Sequence, residues 1–187
     1  MVLDGTHREV IEACQRGDYD AFAALFEAYQ DRVYSIALRF SGDRAAALDI
    51  AQETFLKLLS RIQDFRGEAS FDSWLYRLVV NSCLDQQRRR RRWVPFLEEL
   101  VDVFRSPGNT ALQDVLRRET RDRVRQAVGK LPAELRIVVV LRYTEGLPYE
   151  AIAGIVGCPE GTVASRLNRA HKILERRLAK YREGDHA

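Results

Sequence analysis

All five prolines of this 187-residue chain lie at or beyond position 95. Proline removes a backbone donor and breaks helix interiors, so a proline-free first half can run as helix after helix. Its glycines (Gly5, Gly17, Gly42 and Gly67) fall only between periodic segments. The apolar spacing predicts helices near 6–15, 19–40, 44–63 and 71–92. Gly17-Asp18 and Gly42-Asp43 each join a helix stop to an N-cap, and Gly67 to Ser70 does the same before the fourth helix. On the third helix Leu48, Ala51, Phe55, Leu58 and Leu59 form the stripe expected to face the core. On the fourth, Trp74 is expected to be buried, and Phe71 reads equally as core or as part of the loop before it.

The second half is punctuated differently. Pro95, Pro107, Gly108 and Asn109 bracket an acidic and apolar stretch, Phe96 to Phe104, which reads as an inter-domain linker. Thr110 with Gln113 opens a capping-box pattern, and a helix is expected from there to about Lys130. Pro132 suits the start of a helix ending near Tyr143, and Pro148 the start of a short one to Val156. Gly157-Cys158-Pro159 then makes a tight turn before a long basic helix to about Arg182. No strand alternation and no repeat is present. The fold class is all-α: two helical domains, 1–94 and 111–187, joined by a linker at 95–110, the C-terminal domain containing a helix-turn-helix.

Composition removes several classes. Hydrophobic residues are 46% and charged residues 30%, an ordinary globular balance that argues against disorder. The longest conspicuous apolar run, Ile137 to Leu141, is far short of a membrane span, so no membrane insertion is expected. The first residues lack an apolar leader, which points to the cytoplasm. Cys14, Cys83 and Cys158 are far apart, against a disulfide framework or a cysteine zinc site, and each reads as small core rather than as a thiol sensor. His7, His171 and His186 are scattered, and no nucleophile triad or glycine-rich phosphate loop appears. The expectation is therefore no enzyme, no metal and no cofactor.

Residues 129–187 carry ten basic and seven acidic side chains, the whole of the net charge of +3. Within them, Tyr149 to Arg169 has the length and polarity of a helix-turn-helix. Ile152, Ile155 and Val156 bury the first helix. Val163, Leu167, Ala170 and Leu174, spaced four, three and four apart, bury the second. Thr162, Ser165, Asn168, Arg169 and Lys172 then project outward with Arg166 on the flank, and no acidic residue stands between Gly161 and Ile173. Hydroxyl, amide and guanidinium groups on one face are the chemistry for base edges and phosphates in a major groove.

The first half carries features that a plain repressor does not need. Asp49, Gln52, Glu53 and Leu56 form an acidic, partly apolar ridge with both carboxylates exposed, which reads as solvated surface or as a face for a basic protein partner. Phe65 to Arg92 places a small-residue loop before a helix bearing Trp74, Tyr76, Arg77, Asn81, Asp85 and Arg88, and ends in five consecutive arginines, Arg88 to Arg92. Aromatics interleaved with arginines suit melted DNA, because bases stack on rings and phosphates meet guanidinium groups.

Four collinear stretches then resemble the group 4, or extracytoplasmic-function (ECF), sigma factors of bacterial RNA polymerase: ALFEAYQDRVYSIALRF, DIAQETFLKLL, FRGEASFDSWLYRLVVNSCLDQQRR and LPAELRIVVVLRYTEGLPYEAIAGIVGCPEGTVASRLNRAHKIL. The resemblance covers about Ala21 to Leu178. It implies a dissociable subunit that directs core RNA polymerase to promoter DNA and helps open it. It further implies that Asp49, Gln52, Glu53 and Leu56 dock on the polymerase clamp helices. The loop Arg66, Gly67, Ala69, Ser70 and Phe71, with Asn81 and the basic end from Arg88, implies minus-ten recognition. Thr162, Ser165, Arg166, Asn168, Arg169 and Lys172 imply minus-thirty-five recognition, and residues 93–110 the segment threading toward the active site. An anti-sigma factor is implied as a partner. Two positions depart from the family: Ala164 stands where a basic residue is common, and Pro148 where serine or threonine caps the helix. The competing readings are a stand-alone two-domain helix-turn-helix regulator of duplex DNA and an all-helical adaptor that binds protein only.

Overall fold

A computed structural model of the chain describes residues 5–93 and 122–182. The linker at 95–110 and the capping box at Thr110 lie outside these. All regular structure among the described residues is helical. The first domain is α1 (Gly5–Gln15), α2 (Tyr19–Ser41), α3 (Arg44–Arg61), a 3-10 turn (Ile62–Asp64) and α4 (Phe71–Trp93). The second is a helical segment over 122–129 (α5), then α6 (Ala133–Thr144), α7 (Tyr149–Val156) and α8 (Glu160–Arg182).

The caps are those that the residue types demand. Asp18 accepts from the backbone N–H groups of Asp20 and Ala21 at 2.9 and 3.1 Å and starts α2. Gly42, at φ 71°, takes the left-handed position that ends it, and its N–H returns to the Leu38 carbonyl. Asp43 then accepts from Ala46 N at 2.8 Å to start α3. Pro132 and Pro148 hold the N-cap positions of α6 and α7 without any side-chain cap.

The core stripe of α3 is not the one expected. Ala47, Ile50, Thr54 and Leu58 pack inward with Phe55, whereas Leu48 and Leu59 are 60% and 47% exposed. Apolar residues cover well over half of this helix's circumference, so two stripes exist and only one is roofed by α2 and α4. Trp74 is half-buried, packed against Phe65 and Phe71 with ring centroids 5.5 and 5.8 Å away. In the second domain α6 is buried at every residue from Leu135 to Leu141, because it meets α8 on one side and α2 on another.

The two domains join through α2 and α4 on one side and α6 and α7 on the other. Arg136, buried in α6, donates to the Phe40 carbonyl at 2.8 Å and lies 5.1 Å over the Phe40 ring. It thereby satisfies a carbonyl in the last turn of α2, where the helix dipole favours a cation. Glu145 at the end of α6 is poorly placed for its own helix, since a carboxylate there faces the negative pole. The first domain compensates: Arg32 Nε donates to Glu145 at 2.9 Å and the Tyr76 hydroxyl donates at 2.8 Å. Arg32 also reaches Asp72 at 3.3 Å, and Asp72 accepts from the Tyr29 hydroxyl at 2.7 Å. Burial, then the Glu145 carboxylate, raises the Tyr76 phenol well above its ordinary pKa. Arg77 Nε completes the joint by donating to the Gly154 carbonyl of α7 at 3.0 Å.

Candidate functional site

Three surfaces carry the residues singled out from the sequence. The first is the open stripe of α3. Leu48, Leu56 and Leu59 together with Phe26 of α2 line an apolar groove of about 470 Å³. Gln52 lines it as well, and Asp49 stands exposed on the same helix. Glu53 was expected to be exposed beside Asp49 but is not. Its side chain is 21% exposed, held by Lys57 at 2.8 Å and by both terminal nitrogens of Arg89 at 3.0 and 3.3 Å. Lys57 in turn reaches Asp85 and Ser82, so Glu53 belongs to a clasp between α3 and α4. The exposed ridge is therefore Asp49, Gln52 and Leu56, joined by Leu48 and Leu59, which periodicity places in the core, and by Phe26 of α2.

The second surface is a polar pocket of about 330 Å³ formed where the loop 65–70 arches in front of α4. Arg66, Gly67 and Ala69 line it, and so do Glu68, Trp74 and Arg77. Gly67 sits at φ 76°, a left-handed turn that a side chain would strain. Ser70 stands at the exit, where its Oγ accepts from Ser73 N at 3.2 Å and caps α4. Phe71 does not present its ring to the pocket: it is 3% exposed and meets Tyr29 and Phe65 edge-on, 5.5 Å from each. It is core beneath the loop. Asn81 and Arg88 are exposed further along α4, and Arg88 lies 3.4 Å from Asp85. The pocket's cations, Arg66 and Arg77, alternate with the acids Asp64 and Glu68. Trp74 and Arg77, three apart on α4, had a signal in their spacing.

The third surface is the helix-turn-helix. Gly157, at φ 68°, closes α7 and turns the chain into α8. Val163, Leu167 and Ala170 are buried, leaving Ser165, Asn168, Arg169 and Lys172 exposed and Thr162 half-buried. Arg166 is drawn off this face, its guanidinium 3.5 Å from Glu134 and 3.9 Å from the Cys158 sulfur. The pair Tyr143 and His171, hydroxyl to Nε2 at 2.7 Å, flanks the same helix and was not anticipated.

Other chemistry is poorly served. Cys83 is buried, and burial pushes its thiol up to about 12; burial raises Cys14 too. Among the described residues no group of three or more metal-ligating side chains comes together, and no helix is long and apolar enough to cross a membrane.

Comparison with known proteins covers nearly the whole chain. Residues 25–93 match the family model of sigma-70 region 2, and residues 121–174 that of sigma-70 region 4. The chain is 36% identical over 186 residues to the RNA polymerase sigma-H factor of Pseudomonas aeruginosa, covering 95% of this chain and 96% of that protein. It is 37% identical over 181 residues to the ECF RNA polymerase sigma-E factor of Haemophilus influenzae, covering 92% and 95%. Among solved structures, the sigma factor RpoE in complex with the anti-sigma factor NepR from Bartonella quintana superposes with a TM-score of 0.65 at 25% identity, covering 84% and 96%. CnrH in complex with the cytosolic domain of CnrY shares the fold, with a TM-score of 0.67 at 24% identity, covering 92% and 97%.

Proposed function

The chain belongs to the ECF branch of the sigma-70 family of RNA polymerase sigma factors, and from that premise we propose how its three surfaces divide the work of initiation. Members of this family are initiation factors and not enzymes, so the chain is not an enzyme and nucleotide chemistry stays with core polymerase. The α3 groove, apolar with Asp49 on its rim, docks on the clamp helices of the core. Burying its exposed leucines supplies affinity, and the carboxylate favours a basic partner and its rapid encounter.

The pocket before α4 takes a base that has left the duplex. The Watson–Crick edge of a base inside a closed helix is out of reach, and A·T-rich steps unstack at least expense. Trp74 offers a face for stacking, while Arg66 and Arg77 offer phosphate or base contacts. Asn81 and the basic end from Arg88 continue along the same helix toward upstream DNA. On α8, Ser165, Asn168, Arg169 and Lys172 read and grip the minus-thirty-five element in the major groove, with Thr162 at the leading end. The polymerase and this work lie in the cytoplasm, and an anti-sigma factor is the expected inhibitor.

The observation that carries this reading is the pocket in front of α4 in the same chain as the helix-turn-helix. A stand-alone regulator of duplex DNA has no use for it. The test is co-purification with core polymerase followed by run-off transcription on a pool of genomic fragments. Discrete transcripts that need the chain support the reading. Duplex binding without polymerase, and no transcripts, would establish the stand-alone regulator instead.

A further inference from the structure

The pocket loop is held at its entrance by a residue that lies ahead of the region 2 match. Gln15 is the last residue of α1, a helix that precedes the region 2 match beginning at residue 25. Its amide nitrogen donates to the Ile62 carbonyl at 2.9 Å and to the Phe65 carbonyl at 2.8 Å. A side-chain amide has two N–H donors, and here each has its own acceptor, so the NH2 must face the turn. The two carbonyls bracket the 3-10 turn Ile62–Asp64 that leads into the loop. Ile11 and Cys14, buried one turn and one residue earlier, fix α1 against the core and so fix the position of Gln15.

The Phe65 carbonyl belongs to the peptide joining Phe65 to Arg66. Fixing that peptide plane sets the direction in which the loop departs. The Phe65 ring is seated against Phe71 and Trp74, both centroids 5.5 Å away. At the exit, Ser70 caps α4. Only Arg66 to Ala69 span the interval between these two anchors, and all four line the pocket. The entrance also has the backbone bond from Phe65 N to the Ile62 carbonyl, longer at 3.2 Å.

We propose that Gln15 is a positioning residue for single-stranded promoter DNA: by clamping the Ile62 and Phe65 carbonyls it preforms the pocket of the 65–70 loop. The proposal rests on the reading of that pocket as the site for a melted base. A preformed site binds without the cost of ordering its own loop, so loss of the clamp appears as weaker single-strand binding and leaves the other two surfaces untouched.

Two variants test it. Gln15→Met keeps length and shape without a donor, and Gln15→Glu keeps the outline but faces the two carbonyls with a carboxylate. Both are made in the full chain and bound to core polymerase. The ligand is the non-template strand of the promoter that the holoenzyme transcribes best. The expected result is about tenfold weaker single-strand binding, equivalent to roughly 1.4 kcal/mol. Affinity for core polymerase and for upstream duplex should stay as in the wild type, which a merely destabilising change would not leave. A second readout needs no DNA. The chain has two tryptophans, so in a Trp93→Phe background the fluorescence of Trp74 reports the loop alone. Acrylamide should quench it more strongly in both variants. Unchanged single-strand affinity beside normal wild-type binding, or unchanged quenching, overturns the role of Gln15. Failure of the wild-type holoenzyme to bind the single strand overturns the pocket reading and this proposal with it, whereas increased quenching in the variants then still places Gln15 as the anchor of the loop.

Discussion

Glu145→Gln should loosen the joint between the two domains without disturbing either. The substitution keeps the side chain's shape and removes its charge. Glu145 is 8% exposed and accepts two hydrogen bonds, from Arg32 at 2.9 Å and Tyr76 at 2.8 Å. A hydrogen bond to a charged group contributes about 1.5–3 kcal/mol. Arg32 is 41% exposed, so water screens its share, and that part is discounted toward the value of a surface pair. The Tyr76 bond persists in weaker, neutral form. A net loss of about 1–2 kcal/mol follows, which lowers the ratio of joined to separated molecules by roughly 5–30-fold. The assay is energy transfer between dyes on Ser60 and Arg176, both exposed and outside the joint. Transfer should fall in Glu145→Gln and in Arg32→Ala, and the double variant should show less than the sum, because the partners are coupled. Unchanged transfer in all three would refute the reasoning and leave the apolar contacts between α2, α4, α6 and α7 as the sole hold.

Four further outcomes are expected. Asp49→Lys should leave stability within about 0.5 kcal/mol and weaken core polymerase binding in a pull-down, whereas Glu53→Lys, beside Lys57 and Arg89, should cost about 1–2 kcal/mol in urea unfolding. Arg169→Ala should lower duplex affinity by about 1–3 kcal/mol in a gel-shift titration, and Arg166→Ala, already turned toward Glu134, should lower it less. Titration of the folded chain with a thiol reagent at pH 8 should modify Cys158 first, with Cys14 and Cys83 reacting only on unfolding, since both are buried with raised pKa values. Tyr29 and Tyr76 are both raised by burial and by their carboxylate acceptors, so the folded chain keeps protons that the unfolded chain has lost. Their contribution is full below about pH 10 and falls as pH rises beyond it; thermal melting should steepen its decline there, and less so in Tyr76→Phe.

The helices were legible because their limits are local. Asp18, Asp43, Gly42 and Gly157 act within four residues of themselves, and spacing alone set the buried face of α8 through Val163, Leu167 and Ala170. What periodicity cannot tell is which apolar face is covered. Leu48 and Leu59 lie in a true stripe, yet they stand exposed, and on the proposed reading it is another protein that covers them. Long-range partners were equally silent. Lys57, one turn on from Glu53, was in view, but Arg89, which completes the clasp, is 36 residues away, and Glu145 drew no notice because Arg32 is 113 residues away. For Phe71 the sequence leaves loop and core equally open, and the contact with Tyr29 of α2 decides for the core. Gln15 showed no signal, since a glutamine at a helix end is ordinary until its two acceptors are seen.

The joint also sets an equilibrium that DNA must work against. Arg77 lines the pocket for a melted base and simultaneously holds α7 of the helix-turn-helix through a 3.0 Å bond. On the proposed reading the two promoter elements are about 25 base pairs apart, roughly 85 Å along B-DNA at 3.4 Å per pair. Domains in hydrogen-bond contact do not reach both. Promoter binding therefore selects separated molecules, and its apparent dissociation constant is the intrinsic one divided by the separated fraction. A ligand that seats across α2, α4, α6 and α7 as they stand selects the joined form instead. Promoter and such a ligand then oppose each other through one equilibrium constant, and no shared contact residue is needed for it.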